Sequence, residues 1–151
     1  MPNKLASQIL ISADVIKKQI NLVFAIDSKV TFTQYQVLCA ISNCGNNCDD
    51  KISQLEIAQM LNVTEGAVSR HIENLQNLNL IEREVNQFNR RKHSVKATKQ
   101  GLEVLAISHN MYNQAVKEIT NHLSIEDVCK LEDLLRQFLA GCHWANKKCN
   151  K

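Results

Sequence analysis

The stretch that most constrains this chain runs from Ile52 to Gly101, ISQLEIAQMLNVTEGAVSRHIENLQNLNLIEREVNQFNRRKHSVKATKQG. It opens with a helix-start signal at Ser53-Gln54-Leu55-Glu56, where serine and glutamate, three residues apart, can each satisfy the other's backbone N–H. Ile52 and Ile57 stand at the two positions of a hydrophobic staple. The helix that follows is short, with Ala58 as a small contact residue and Leu61 facing inward, before Asn62-Val63-Thr64 turns the chain. Thr64 caps a further helix to about Asn77, which buries Val68, Ile72 and Leu75. Asn79 suits the left-handed position that ends it, because Asn tolerates positive φ better than most residues. Ile81 to Asn86 and His93 to Ala97 alternate in side-chain character, with Val85, Val95 and Ala97 as inward positions. Between them lies Gln87-Phe88-Asn89-Arg90-Arg91-Lys92. Two short helices joined by a turn, followed by a two-stranded ribbon with a basic tip, make a winged helix-turn-helix: mainly α, with a small β-hairpin wing.

Helical periodicity continues on both sides. From Lys4 to Asp27, Leu5, Ile9, Ile16, Ile20 and Val23 form one stripe, widened by Ile11, Val15, Leu22 and Ile26. A helix apolar over most of its circumference must be covered on more than one side, and a subunit interface is the natural cover. Thr33-Gln34-Tyr35-Gln36, with Phe32 and Val37 as staple, opens a second helix that carries Val37, Leu38 and Ile41 inward and ends before the turn-rich loop from Cys44 to Asp50. After the ribbon, Thr98 to Leu123 reads as a long helix with Leu102, Leu105, Tyr112, Val116, Ile119 and Leu123 on one stripe. Ser124-Ile125-Glu126-Asp127 caps a last helix that turns Val128, Leu131, Leu135 and Phe138 inward and ends near Gly141. The expected division is 1–30 as an N-terminal dimerisation helix, 31–100 as the winged unit, 101–142 as C-terminal dimerisation helices and 143–151 as a polar, basic tail, within one compact fold.

Charge sharpens this picture by its distribution. The chain carries a formal +3. Between Lys51 and Gln100 there are eight basic and five acidic residues, 8 − 5 = +3, so the remainder is neutral and the surplus lies in the winged unit. Apolar runs reach about five residues, as at Leu22 to Ile26, against the roughly twenty needed to span a bilayer, and no secretory leader pattern is present. A cytoplasmic location is expected, and with it reduced thiols for the six cysteines. No Gly-rich phosphate loop or nucleophile elbow occurs, so no enzyme, cofactor or metal is expected; Cys142, His143 and Cys149 fall short of the four ligands of a structural zinc site.

The first turns of a helix held by a preceding short helix can read base edges in the major groove of double-stranded DNA. On the helix after Thr64 the positions free of burial duty are Glu65, Gly66, Ser69, Arg70, Glu73 and Asn74. Arg70 suits guanine, Ser69 and Asn74 suit base or phosphate, Glu65 can accept from cytosine, and the helix start at Thr64 and Gly66 can hold a phosphate. Arg90 and Arg91 at the wing tip suit a narrow minor groove, and Lys92 and Lys96 suit phosphates.

From Thr33 to Gly101 the chain resembles the MarR family of bacterial winged-helix transcription regulators. The likeness rests on Thr33 to Leu38, Glu56-Ile57-Ala58, Val68-Ser69-Arg70, Leu80-Ile81-Glu82-Arg83, Asn89-Arg90-Arg91 and Thr98-Lys99-Gln100-Gly101, in that order and spacing. It implies a homodimer joined through its first, fifth and sixth helices, a pseudo-palindromic DNA site with half-sites about one helical turn apart, and a repressor released by a small ligand, oxidant or metal. Asn79, Asn89 and Ala97 stand where the family usually has Gly, Asp and Leu. Arg91 matches the wing arginine by spacing, and the aspartate that would orient it is here Asn89.

For the signal, Tyr35, His109 and Tyr112 are the candidates for a small-molecule pocket, and Cys44 with Cys48 for a redox pair. The alternatives are a hydrogen-bonded core or interface histidine and two thiols without a regulatory role. Cys39 and Cys129 read as small buried hydrophobes. Two other classes of protein stay open: a winged helix used as a protein-interaction module, and a metal- or small-molecule-binding protein that does not touch DNA.

Overall fold

The computed structural model describes residues 2–45, 52–85 and 93–142. The elements follow in the order α1 (Pro2–Asp27), α2 (Phe32–Gly45), α3 (Gln54–Leu61), α4 (Glu65–Asn77), β1 (Ile81–Val85), β2 (His93–Ala97), α5 (Lys99–Thr120) and α6 (Ile125–Cys142). Residues Met1–Ala115 form one compact unit and Val116–Lys151 a second. Among the described residues no helix is long and apolar enough to cross a membrane.

Local capping explains most of the boundaries. Ser53 starts α3 with a complete capping box: its N–H donates to Glu56 Oε2 at 2.7 Å, and its Oγ accepts from the Glu56 N–H at 3.2 Å. The staple pair Ile52 and Ile57 is buried beneath it. Thr64 Oγ1 accepts from the Ala67 N–H at the head of α4, and Ser124 Oγ from the Asp127 N–H at the head of α6.

At α2 the structure differs from the spacing-based reading. Thr31, not Thr33, is the cap: its N–H donates to Gln34 Oε1 at 2.8 Å and its Oγ1 accepts from the Gln34 N–H at 3.2 Å. Both threonines precede a glutamine by three residues. Starting at Thr31 makes Val30 and Tyr35 the staple pair, and both are buried. The helix also runs through Gly45, one to two residues beyond the expected end, a common margin at a helix terminus.

Both turns that bracket α4 end a helix on an asparagine with positive φ. Asn62 has φ 52° and Asn79 φ 57°. Each is followed by a backbone N–H reaching back five residues, Val63 to the Ala58 carbonyl at 3.0 Å and Leu80 to the Leu75 carbonyl at 2.9 Å. This is the Schellman closure usually served by glycine, so Asn79 fills the expected role with a side chain present.

The core of the first unit joins α1 to α4, the strands and the start of α5 through Phe24, Val37, Leu38, Ile57, Val68, Ile72, Leu75, Leu80, Ile81, Val95 and Val104. The strands pair antiparallel from Ile81 with Ala97 to Val85 with His93, and Ala97 is only half-buried.

Among the described side chains of α1, Ile20 and Phe24 are buried, while Leu10, Ile11 and Val15, on the face for which a subunit interface is the expected cover, are more than half exposed. The apolar stripes of α5 and α6 settle differently from expectation within one chain. The buried face of α5 is Gly101, Val104, Ser108 and Ala115, not the Leu102 and Leu105 stripe, because small residues let this helix approach its neighbours closely. On α6, Leu131, Leu135 and Phe138 are exposed rather than inward.

Candidate nucleic-acid interface

The arrangement of α3 and α4 follows from burial. Val68, Ile72 and Leu75 have no exposed surface, which turns the remaining circumference of α4 outward. Thr64, Glu65, Gly66, Arg70 and Asn74 are exposed there and Ser69 is half-buried. The positions read as a recognition edge therefore share the open side of one helix. At Gly66 an added Cβ would meet nothing within 4 Å, so this glycine keeps the helix start slim without being required by packing. Between Glu65 and Asn77 the charged side chains are Arg70 against Glu65 and Glu73, a formal 1 − 2 = −1. Such a helix is suited to reading base edges and poorly suited to holding phosphates by charge alone.

On the ribbon side Arg83 and Lys96 are exposed on the strands, with exposed Glu82 paired opposite Lys96, and Lys99 is exposed at the start of α5. Arg90, Arg91 and Lys92, with Asn89, lie outside the described residues.

The base of the ribbon is tied to both neighbouring helices. Thr98 Oγ1 donates to the Asn79 carbonyl at 2.8 Å and accepts from the Gly101 N–H at 3.0 Å. The Thr98 N–H donates to the Leu80 carbonyl at 3.0 Å. A Cβ on Gly101 would be driven into that same Leu80 carbonyl, so only glycine allows the first turn of α5 to lie this close.

The proposed pocket residues come together around an aromatic cluster. Phe24, Phe32, Tyr35 and Tyr112 pack with ring centroids between 5.3 and 6.1 Å apart. Tyr35 and Tyr112 line a cavity of about 260 Å³ together with Phe32, Gln36, Cys39, Asn43, Met60 and Leu61. His109 does not line it; its Nδ1 lies 2.9 Å from the Tyr35 hydroxyl, a link from α5 to α2. Burial, helped by neighbouring Cys39, pushes the Tyr35 phenol up, and burial likewise pushes the Cys39 thiol up. Both are therefore neutral near pH 7, and Cys39 is a poor nucleophile.

Sequence reasoning placed Cys39 in the core without seeing that it faces a cavity; the signal was its spacing of four from Tyr35 on one face of α2. Cys129 is exposed, a correction to its reading as buried, because nearly every described side chain of α6 lies at the surface. Of the candidate redox pair, Cys44 falls in the last turn of α2 and Cys48 lies outside the described residues. Among the described residues no three His, Cys, Asp or Glu side chains are grouped to hold a metal ion.

A capped helix with one buried and one open face, a short helix packed across it and an antiparallel ribbon behind it define a winged helix-turn-helix protein. The comparisons place it more narrowly. Residues 28–92 match the model of the MarR family, and the Multiple antibiotic resistance protein MarR of Salmonella typhimurium is 32% identical over 111 residues, 73% of this chain and 74% of that one. The chain belongs to the MarR family. A crystal structure of a cysteine-to-serine mutant of MarR from Escherichia coli complexed with operator DNA is similar at TM-score 0.74 and 28% identity, covering 90% of this chain and 94% of that one. The fold is shared with the transcriptional regulator BldR from Sulfolobus solfataricus, at TM-score 0.77 and 20% identity over 92% and 94% of the two chains.

Proposed function

We propose that the protein is a cytoplasmic, homodimeric regulator of transcription that binds a pseudo-palindromic site in double-stranded DNA and acts as a repressor. The observation that carries this reading is the division of α4 into a fully buried face and an open face bearing Glu65, Gly66, Arg70 and Asn74. The similar MarR bound to operator DNA supports it. In this reading α4 enters the major groove, Arg70 donates to guanine, Ser69 and Asn74 contact base or phosphate, and the free N–H groups after Thr64 receive a phosphate. Because α4 itself is formally negative, affinity comes largely from the ribbon, with Arg90 and Arg91 in the minor groove and Lys92 on phosphate.

Dimerisation is supported by the apolar side chains that a single chain leaves in water on α1 and α6, among them Leu10, Ile11, Leu134 and Leu139. Release by a small effector is supported by the aromatic cavity at Tyr35 and Tyr112, with His109 tying its wall to α5.

The test is a binding titration with a duplex from upstream of the protein's own gene across a salt series. The expected result is a steep salt dependence. Arg70→Ala costs roughly 1–3 kcal/mol and relaxes preference at one base pair, while Arg91→Ala weakens binding most on A·T-rich flanks. Affinity without salt dependence, unmoved by either substitution, refutes the reading and leaves the winged helix as a protein-interaction module. The same titration with reduced, oxidised and zinc-treated protein reads the signal.

A further inference from the structure

Three stretches of backbone meet at the base of the ribbon: the left-handed exit from α4 at Asn79, the entry to β1 at Leu80 and the first turn of α5 at Gly101. Thr98 is bonded through its side chain to two of them, donating to the Asn79 carbonyl and accepting from the Gly101 N–H, while its own N–H donates to the Leu80 carbonyl. Doing both needs a donor and an acceptor on a single Cβ substituent, which only a hydroxyl supplies.

From these contacts we infer that Thr98 is a positioning residue for DNA binding: its hydroxyl sets the angle of the ribbon against the reading helix. This inference rests on the DNA-binding reading above.

Two features separate angle from mere stability. The bond from Thr98 Oγ1 to Asn79 is exposed, so water can replace it when the hydroxyl is removed, and the bond from the Gly101 N–H is the part-buried N-cap of α5, whose loss costs about 1 kcal/mol, so the total cost to folding is modest. The ribbon, in contrast, is a lever. Five paired residues extend it by roughly 15 Å, so a tilt of about 10° at the base moves the far end by about 3 Å, the length of a hydrogen bond. Val85 and His93 close the described ribbon at that far end, and the chain between them carries Arg90 and Arg91. A small loosening at Thr98 thus leaves the fold intact and misplaces the basic end.

The experiment compares the wild type with Thr98→Val, Thr98→Ser, Arg91→Ala and the double variant T98V/R91A, on the same upstream duplex and by thermal melting. Valine keeps the branched shape and removes both hydrogen-bonding roles. The expected result is that Thr98→Val melts within a few degrees of wild type yet binds about tenfold more weakly, that Thr98→Ser restores binding, and that Thr98→Val adds little to the loss already caused by Arg91→Ala. Wild-type affinity in Thr98→Val, failure of serine to rescue, losses that add independently in the double variant, or a Thr98→Val protein that does not fold each overturn the inference while leaving the DNA-binding reading standing. A wild type that does not bind the duplex overturns both.

Discussion

Gly101 and Tyr35 are the two residues whose roles depend most on single atoms. At Gly101 the absent Cβ makes room for the Leu80 carbonyl. Gly101→Ala gains helix propensity but must push α5 off the α4–β1 corner, and it is expected to lose about 1–3 kcal/mol, read as a lower denaturant midpoint. Gly66→Ala, with open space around it, is the matched control and should be neutral or slightly stabilising. Tyr35 and Cys39 both hold their protons more tightly in the folded chain than in the unfolded one. The sign follows from linkage: this stability is complete below the ordinary thiol range and is lost as pH rises from the ordinary thiol and phenol values, about 8.5 and 10, towards the raised values of the folded chain. The expected outcome is a melting temperature that falls more steeply above about pH 8.5 in wild type than in the Tyr35→Phe/Cys39→Ala variant. Parallel curves for the two proteins refute it.

Among the elements, α3 is the shortest helix and the one most dependent on its caps. Eight residues are too few to be stable alone, so the Ser53–Glu56 box, the Ile52–Ile57 staple and the left-handed Asn62 hold it together. Ser53→Ala removes the side-chain acceptor and is expected to cost about 1 kcal/mol, read in a denaturation curve. Hydrogen exchange should show faster opening at the Glu56 and Ile57 amides than elsewhere. These contacts lie within three to five residues of one another, which is why the start and end of α3 were legible in sequence, whereas Leu61, expected to face inward, is half-buried at the cavity. On α2 the same rule was ambiguous, since Thr31 and Thr33 both stand three residues before a glutamine. Only the burial of Val30 and Tyr35 against the rest of the unit decides for Thr31.

For the molecule as a whole, the apolar surface left on α1 and α6 predicts self-association. Sedimentation should give twice the 17.1 kDa chain mass. Ile11→Glu, at a position 63% exposed in the single chain, should leave the chain folded but weaken the dimer by tenfold or more, because an unpaired charge at an interface costs several kcal/mol. A dimer unaffected by that substitution, and by Phe138→Glu, moves the interface elsewhere. What the sequence by itself determined were the helices and strands, the caps of α3, α4 and α6, the buried face of α4 and its family, because these follow from short-range spacing and period. Tertiary structure alone decided that α5 packs through Gly101, Val104, Ser108 and Ala115, that Tyr35 meets His109 beside a cavity, and that Thr98 clasps Asn79 and Leu80. Those contacts join residues 18 to 74 positions apart, and their geometry depends on how closely neighbouring backbones approach, which no local pattern encodes.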